Sequence, residues 1–294
     1  MACQDVDAII KRRLEAGEKL NLGYGKLMER LLMFKDVKDK STLSNASLVD
    51  NSLFSLVIPI AELRMKTFKS TLESPVAVLG DASGSMEVAI RTATIISSLL
   101  AAISAAKLTF FNHENFEGKL NDPKNLNDVL QLAYETKASG STAPAASLVP
   151  YYDKKEIIKT FIIVTDEEEN ADGRTSDGQR WRFFKLFMDY RQQVYPASLI
   201  FVSFLSSQHS QGQMYSHFIR ENGPDVLQFK FDRSRPDLTK LDSILGVLCS
   251  KSSESFSGRV ERIESDLKML GLARTFEKLK TDNELKEAVK SVVY

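Results

Sequence analysis

An open, doubly wound, mostly parallel α/β sheet with helices on both faces, plus flanking helices, is the fold this sequence predicts. Three observations point to it. The runs Val76-Ala77-Val78-Leu79-Gly80 and Thr160-Phe161-Ile162-Ile163-Val164-Thr165 are almost wholly apolar and do not alternate, which is the pattern of strands buried on both faces. Strand-like and helix-like stretches alternate from residue 74 to residue 256, at spacings that suit right-handed crossovers between parallel strands. Asp81 and Asp166 each directly follow one of the two apolar runs, where sheets of this kind bind ligands beyond the carboxyl ends of their strands.

The elements follow in order. Residues 1–73 read as a helical amino-terminal segment, 74–256 as the α/β domain, and 257–294 as a helical, charged extension. Ser74-Pro75 breaks the first segment, and the first strand runs from Val76 to Gly80. A polar loop, Asp81 to Ser85, leads to the small and apolar residues Met86 to Ala106, expected to form a helix buried behind the sheet. Lys107 to Phe111 reads as the next strand, with a short strand expected at Phe116–Leu120. Leu126 to Thr136 reads as a helix, and another is expected just after Thr142, with Pro144 in its first turn. Gln179 to Gln193 is expected to be helical, with Trp181, Phe184, Phe187 and Tyr190 or Met188 on the face toward the sheet. Ala197 to Phe204 is a third buried strand, Met214 to Glu221 a short helix closed by Asn222-Gly223, and Val226 to Phe231 an alternating edge strand. Leu238 to Cys249 forms a last helix, and the serine-rich stretch Ser250 to Ser257 reads as a linker.

Composition narrows the function classes. Lysine plus arginine and aspartate plus glutamate both number 39, so no general attraction to nucleic acid or acidic membranes follows from charge. The two cysteines, Cys3 and Cys249, make no disulfide framework, and the three histidines are too scattered for a histidine metal site. No charged-then-apolar leader and no long apolar run is present, so a cytoplasmic protein without membrane contact is expected. The basic triplet Lys11-Arg12-Arg13 reads as a solvated helix face, with a phosphate or RNA contact as the alternative. In the carboxyl-terminal extension, Val260, Ile263, Leu267 and Leu270, then Phe276, Leu279, Leu285 and Val289, form an apolar face for intramolecular packing or a partner.

The chemistry concentrates at three loops. Asp81-Ala82-Ser83-Gly84-Ser85 matches the D-x-S-x-S pattern of von Willebrand factor A domains; Gly140-Ser141-Thr142 follows in a second loop, and Thr165-Asp166 ends a strand in a third. The resemblance implies a metal-ion-dependent adhesion site (MIDAS) built from Asp81, Ser83, Ser85, Thr142 and Asp166 on a Rossmann-like sheet. The residue types suit a hard cation such as Mg²⁺ or Mn²⁺, which takes oxygen ligands and keeps some water. Ser83, Ser85 and Thr142 offer neutral hydroxyls, and Asp81 and Asp166 offer charge, one or both through water. With few charged ligands the metal stays electrophilic, so an acidic group of a partner can complete its coordination. In the competing interpretation, Ser83 and Ser85 cap a helix and Asp81 satisfies backbone amides. Glu167 stands where many such domains have glycine. It is either part of a solvated acidic loop with Glu168 and Glu169 or a partner-binding rim residue that tunes or blocks the open metal position.

A narrower resemblance covers roughly residues 60–250. Lys66-Thr67-Phe68-Lys69, Val164-Thr165-Asp166-Glu167-Glu168, and Tyr190-Arg191-Gln192-Gln193 followed by Pro196-Ala197-Ser198-Leu199-Ile200 are similar to stretches of the Ro ribonucleoprotein autoantigen (TROVE) family. In that family the domain follows an RNA-binding ring of helical repeats. Only residues 1–73 precede it here, too few for a ring, so RNA binding through that module is not carried over. The resemblance implies an interaction platform within a ribonucleoprotein. The expected function is therefore a non-enzymatic, metal-dependent protein interaction domain. An RNA-binding or scaffold subunit without metal dependence is the first alternative. A metal-assisted phosphohydrolase is the second; residue 83 is serine where a D-x-D nucleophile motif needs aspartate, and no GxxxxGK[ST] loop occurs.

Overall fold

The computed structural model describes residues 9, 11–17, 22–41, 53–68, 70–120, 122–207, 209–249 and 256–281. They fall into two compact units, one within residues 1–253 and the other within 254–294. The first unit is built on a six-stranded sheet. Its strands are β1 (Val76–Asp81), β2 (Lys107–Phe111), β3 (Asn115–Phe116), β4 (Thr160–Thr165), β7 (Ser198–Leu205) and β8 (Leu227–Asp232), and they lie in the order β3-β2-β1-β4-β7-β8. All pairings are parallel except that of β3 with β2. A separate two-stranded hairpin joins β5 (Gly173–Arg174) to β6 (Arg180–Trp181).

The two unbroken apolar runs are the two central strands. Every residue of β1 and β4 is buried, and the period of two sorts their side chains between two cores. Val76, Val78, Ile162, Val164, Ile200 and Val202 face one; Ala77, Leu79, Phe161, Ile163, Leu199 and Phe201 face the other. On the first face lie α1 (Tyr24–Ser41), α2 (Leu53–Met65), α3 (Ile90–Ser104), α4 (Leu126–Glu135) and α8 (Leu241–Leu248). On the second lie α5 (Pro144–Asp153), α6 (Phe183–Gln193) and α7 (Gln213–Arg220). The fold is thus an open α/β sheet wound on both faces. The chain runs from β1 toward β2 on one side and returns through β4 to β7 and β8 on the other. The order reverses between β1 and β4, which makes the crevice above their carboxyl ends the topological switch point.

Several local signals act as expected. Pro144 opens α5 at a position where its missing N–H costs nothing. Asn125 and Asp128 form a reciprocal capping box at the start of α4. Other expectations shift. The stretch from Met86 is not helical at once: a 3-10 turn at Gly84–Met86 comes first and α3 starts at Ile90. The expected Phe116–Leu120 strand is only Asn115–Phe116. Residues 179–182 belong to the hairpin and its end, so α6 starts at Phe183 and buries Phe183, Leu186, Phe187 and Tyr190. Trp181, Phe184 and Met188 are instead partly exposed and border an open surface groove.

The described helices ahead of β1 pack into the α/β domain. Tyr24, Leu27, Met28 and Leu31 of α1 and Val57, Ala61 and Met65 of α2 are part of the first core. Asp242 of α8 accepts hydrogen bonds from the amides of Tyr24 (2.7 Å) and Gly25 (3.2 Å) at the start of α1. In the second unit, α9 (Phe256–Thr281) is interrupted at Gly271, whose φ of 76° breaks the helical path. Cys3, Ile10, Lys69, Leu285, Val289 and residues 250–255 of the serine-rich stretch lie outside the described residues. No described helix is long and apolar enough to cross a membrane.

Candidate functional site

The site is assembled by loops that leave the carboxyl ends of β1, β2 and β4 and by the loop between α4 and α5, which hold one another by their backbones. Where β1 ends, Ala82 donates to the Phe111 carbonyl at the end of β2 (2.8 Å), and its own carbonyl accepts from Ser139 (2.8 Å). The Gly84 amide donates to the Gly140 carbonyl (3.0 Å). A Cβ on residue 84 would lie 3.3 Å from that oxygen, so glycine lets the two loops touch. Gly140 has a φ of +80°, beside Asn112 and His113 of the β2 loop. Thr142 is locked to the β4 loop: its amide donates to Asn170 Oδ1 (2.8 Å), and its carbonyl accepts from the amides of Asn170 and Ala171.

Asp81 is 1% exposed and Asp166 5%, and carboxylates are rarely buried so far unless paired. Asp81 Oδ1 accepts from the Ser83 amide (2.8 Å) and Oδ2 from the Thr165 hydroxyl (2.6 Å). Burial first, and the nearby negative charge of Asp166 second, push the Asp81 carboxyl from its ordinary 3.8 up to about 7. Ser83 is fully buried, and its hydroxyl lies 3.2 Å from that of Ser85. Ser83 precedes the 3-10 turn without making a side-chain capping bond, so its hydroxyl is not used as a cap. The aspartate does satisfy one backbone amide, that of Ser83.

All five residues expected at the site thus lie on interlocked loops at the switch point. Their donor set is oxygen alone, two carboxylates and three hydroxyls, which fits a hard divalent cation. No group of three His, Cys, Asp or Glu side chains that could hold a metal occurs among the described residues. A carboxylate cage or a histidine centre is therefore not what these residues build.

Glu167 is not on the rim. It is fully buried, with a φ of 62° that turns it inward. Its Oε1 accepts from the Ser203 hydroxyl and from Gln228 Nε2 (2.6 Å), and its Oε2 from the Tyr215 amide (2.8 Å). It ties the β4 loop to β7, β8 and α7 and cannot meet a partner there. Glu169 also turns to structure, accepting from the Phe183 amide at the start of α6 (2.6 Å). Glu168 is the exposed member of the trio.

Sequence reading missed Arg233 and Asn170. Arg233 Nη1 donates to Asp166 Oδ2 (2.9 Å) and to Glu168 Oε1 (2.7 Å). It directly follows β8. Its place just past a parallel strand, at the same sheet edge as Asp81 and Asp166, is the signal that could have found it. The other oxygen of Asp166 accepts from the Glu168 amide (3.0 Å).

No protein-family model and no curated protein matches the chain. Solved structures do. The Ro (RSR) protein of Deinococcus radiodurans is similar at 15% identity and a TM-score of 0.42, over 65% of this chain and 38% of that one. A von Willebrand factor type A protein from Catenulispora acidiphila is similar at 14% identity and a TM-score of 0.38, over 60% of this chain and 42% of that one. The PilB minor pilin of Streptococcus sanguinis is similar at 12% identity and a TM-score of 0.38, over 60% of this chain and 61% of that one. The chain thus spans less than two thirds of each of them. At these scores the likenesses carry no argument about function, which rests on the residues.

Proposed function

We propose that this chain is a divalent-metal-dependent protein interaction domain whose site binds a carboxylate of an acidic partner. The observation that carries the reading is the meeting of two buried aspartates, Asp81 and Asp166, with the hydroxyl-bearing residues Ser83, Ser85 and Thr142 on loops tied backbone to backbone. Mg²⁺ or Mn²⁺ would be held by the three hydroxyls, with the two aspartates supplying charge. Both Asp81 oxygens already accept hydrogen bonds, which favours contact through water. When bound, the cation supplies an electrophilic centre that a partner's Asp or Glu side chain can ligate. This chain's own residues hold the position and bury the two aspartates, with Arg233 pairing Asp166 and Glu168 at the solvent edge.

The reading is one of coordination, not turnover. A role within a ribonucleoprotein belongs to the same proposal, with RNA reached through the complex. The test is calorimetric titration of Mg²⁺ and Mn²⁺ into the wild-type protein and the Asp81→Ala variant. Saturable binding to the wild type and at least a tenfold loss in the variant, about 1.4 kcal/mol or more, are expected with the fold intact by circular dichroism. Equal affinities would refute the assignment. Partner capture should vanish in EDTA and return with Mg²⁺, whereas phosphate-mediated RNA binding would weaken steeply with salt and ignore the chelator.

A further inference from the structure

Arg233 is a positive charge that the candidate site already contains. Its own amide donates to the Leu205 carbonyl at the end of β7 (2.8 Å), which fixes the residue at the carboxyl edge of the sheet. The following turn is held by Asp232, which accepts from the Ser234 amide (2.8 Å) and hydroxyl (2.6 Å). From this anchored base the guanidinium bridges a fully buried carboxylate, Asp166, and a half-exposed one, Glu168. Both bonds come from the same nitrogen. The guanidinium therefore sits on the solvent side of Asp166, between that ligand candidate and the rim.

A permanent cation in this place has two effects on a divalent ion. It occupies Asp166 Oδ2, and its charge repels the incoming metal through a partly desolvated medium. Resting on the metal-site reading above, we propose that Arg233 is the resident counter-ion of the site: it shares Asp166 with the divalent cation and keeps the site's metal affinity low. Loading then depends on ambient divalent concentration, and a partner carboxylate that ligates the metal stabilises the loaded form. A role in merely orienting Asp166 makes the opposite prediction, because loss of the arginine would then misplace a ligand.

The experiment is Mn²⁺ titration, by calorimetry and by electron paramagnetic resonance of free Mn²⁺, on the wild type, Arg233→Gln, Arg233→Met and the control Arg235→Gln. Glutamine keeps a hydrogen-bond donor and removes the charge; methionine removes both. Arg235 is an exposed arginine two positions along, and its variant measures the effect of net charge alone. Both position-233 variants are expected to bind Mn²⁺ about tenfold more tightly than the wild type, and Arg235→Gln within about twofold of it. Thermal unfolding with and without Mn²⁺ gives a second readout: the metal-induced rise in Tm is expected to be larger in both variants. If the wild type binds and the position-233 variants bind equally or more weakly, the counter-ion proposal is overturned while the metal site stands. If Arg235→Gln tightens binding as much as Arg233→Gln, general charge explains the effect and the proposal also falls. If neither the wild type nor any variant binds Mn²⁺, the metal-site reading fails and takes this inference with it.

Discussion

The four acidic residues 166–169 look alike in sequence and do four different things. Asp166 is buried and pairs with Arg233, Glu167 is sealed inside, Glu168 meets the same arginine at the rim, and Glu169 caps the start of α6. The Glu167 carboxylate rests on three neutral donors, from Ser203, Gln228 and Tyr215. Gly212 leaves room for it, since a Cβ there would overlap the carboxylate. Glu167→Ala removes the acceptor of the Tyr215 amide, the buried Ser203 hydroxyl and one bond of Gln228, at a cost of about 3 kcal/mol. Urea denaturation is the check, and an unmoved midpoint would contradict the role. The burial of Glu167 was hard to see because a run of acids ordinarily marks a solvated loop. One clue was present. The residue stands where glycine is common in similar domains, and such positions are those with positive φ; a side chain on that backbone points away from where its neighbours point. The positions of the five candidate residues were legible for the opposite reason: Asp81, Ser83, Ser85 and Asp166 close or follow unbroken apolar strands, and Thr142 lies just ahead of the helix that Pro144 opens.

Elements were legible in proportion to their length. β1, β4 and β7 are continuous apolar runs and could be placed from sequence. The two-residue strands β3, β5 and β6 are too short to show any alternation, and the hairpin moved the start of α6 to Phe183. Phe187 and Tyr190 are buried as expected, Phe183 and Leu186 join them, and Trp181 and Phe184 pack only partly against the same core. Phe187 packs among Phe161, Phe183 and Phe218 with ring centroids 5.7–6.2 Å apart, whereas Met188 borders the open groove. Phe187→Ala is accordingly expected to cost about 3–5 kcal/mol, and Met188→Ala within about 1 kcal/mol. Chemical denaturation of the pair is the check; equal losses would place Met188 on the buried face as well. The amino-terminal helices escaped for a different reason. Their apolar residues look like those of any amphipathic helix, and no local signal says that the surface they cover belongs to the sheet.

For the molecule as a whole, the buried aspartate pair leaves a mark on stability. Asp81 has a folded-state pKa of about 7 against an ordinary value of 3.8. Between these values the folded state keeps a proton that the unfolded chain has released, so stability falls as pH rises through the window and the loss is complete above pH 7. The size is on the order of a few kcal/mol. In EDTA, Asp81→Asn should be spared this decline, and the gap between variant and wild type should open between pH 4 and 7.5 in urea titrations. A constant gap would show that the pair is already neutralised. The order of the sheet carries a consequence for how the molecule is made. β1, β2 and β3 are contributed by residues 76–116, and β4, β7 and β8 by residues 160–232. The seam between the halves is the pairing of β1 with β4, where Val76 meets Thr160. Asp81 belongs to one half, Thr165 and Asp166 to the other, and Thr142 to the chain between them. The crevice therefore exists in neither half alone and requires the pairing of β1 with β4, so the cation titration proposed for the site would also read out whether the two halves have closed.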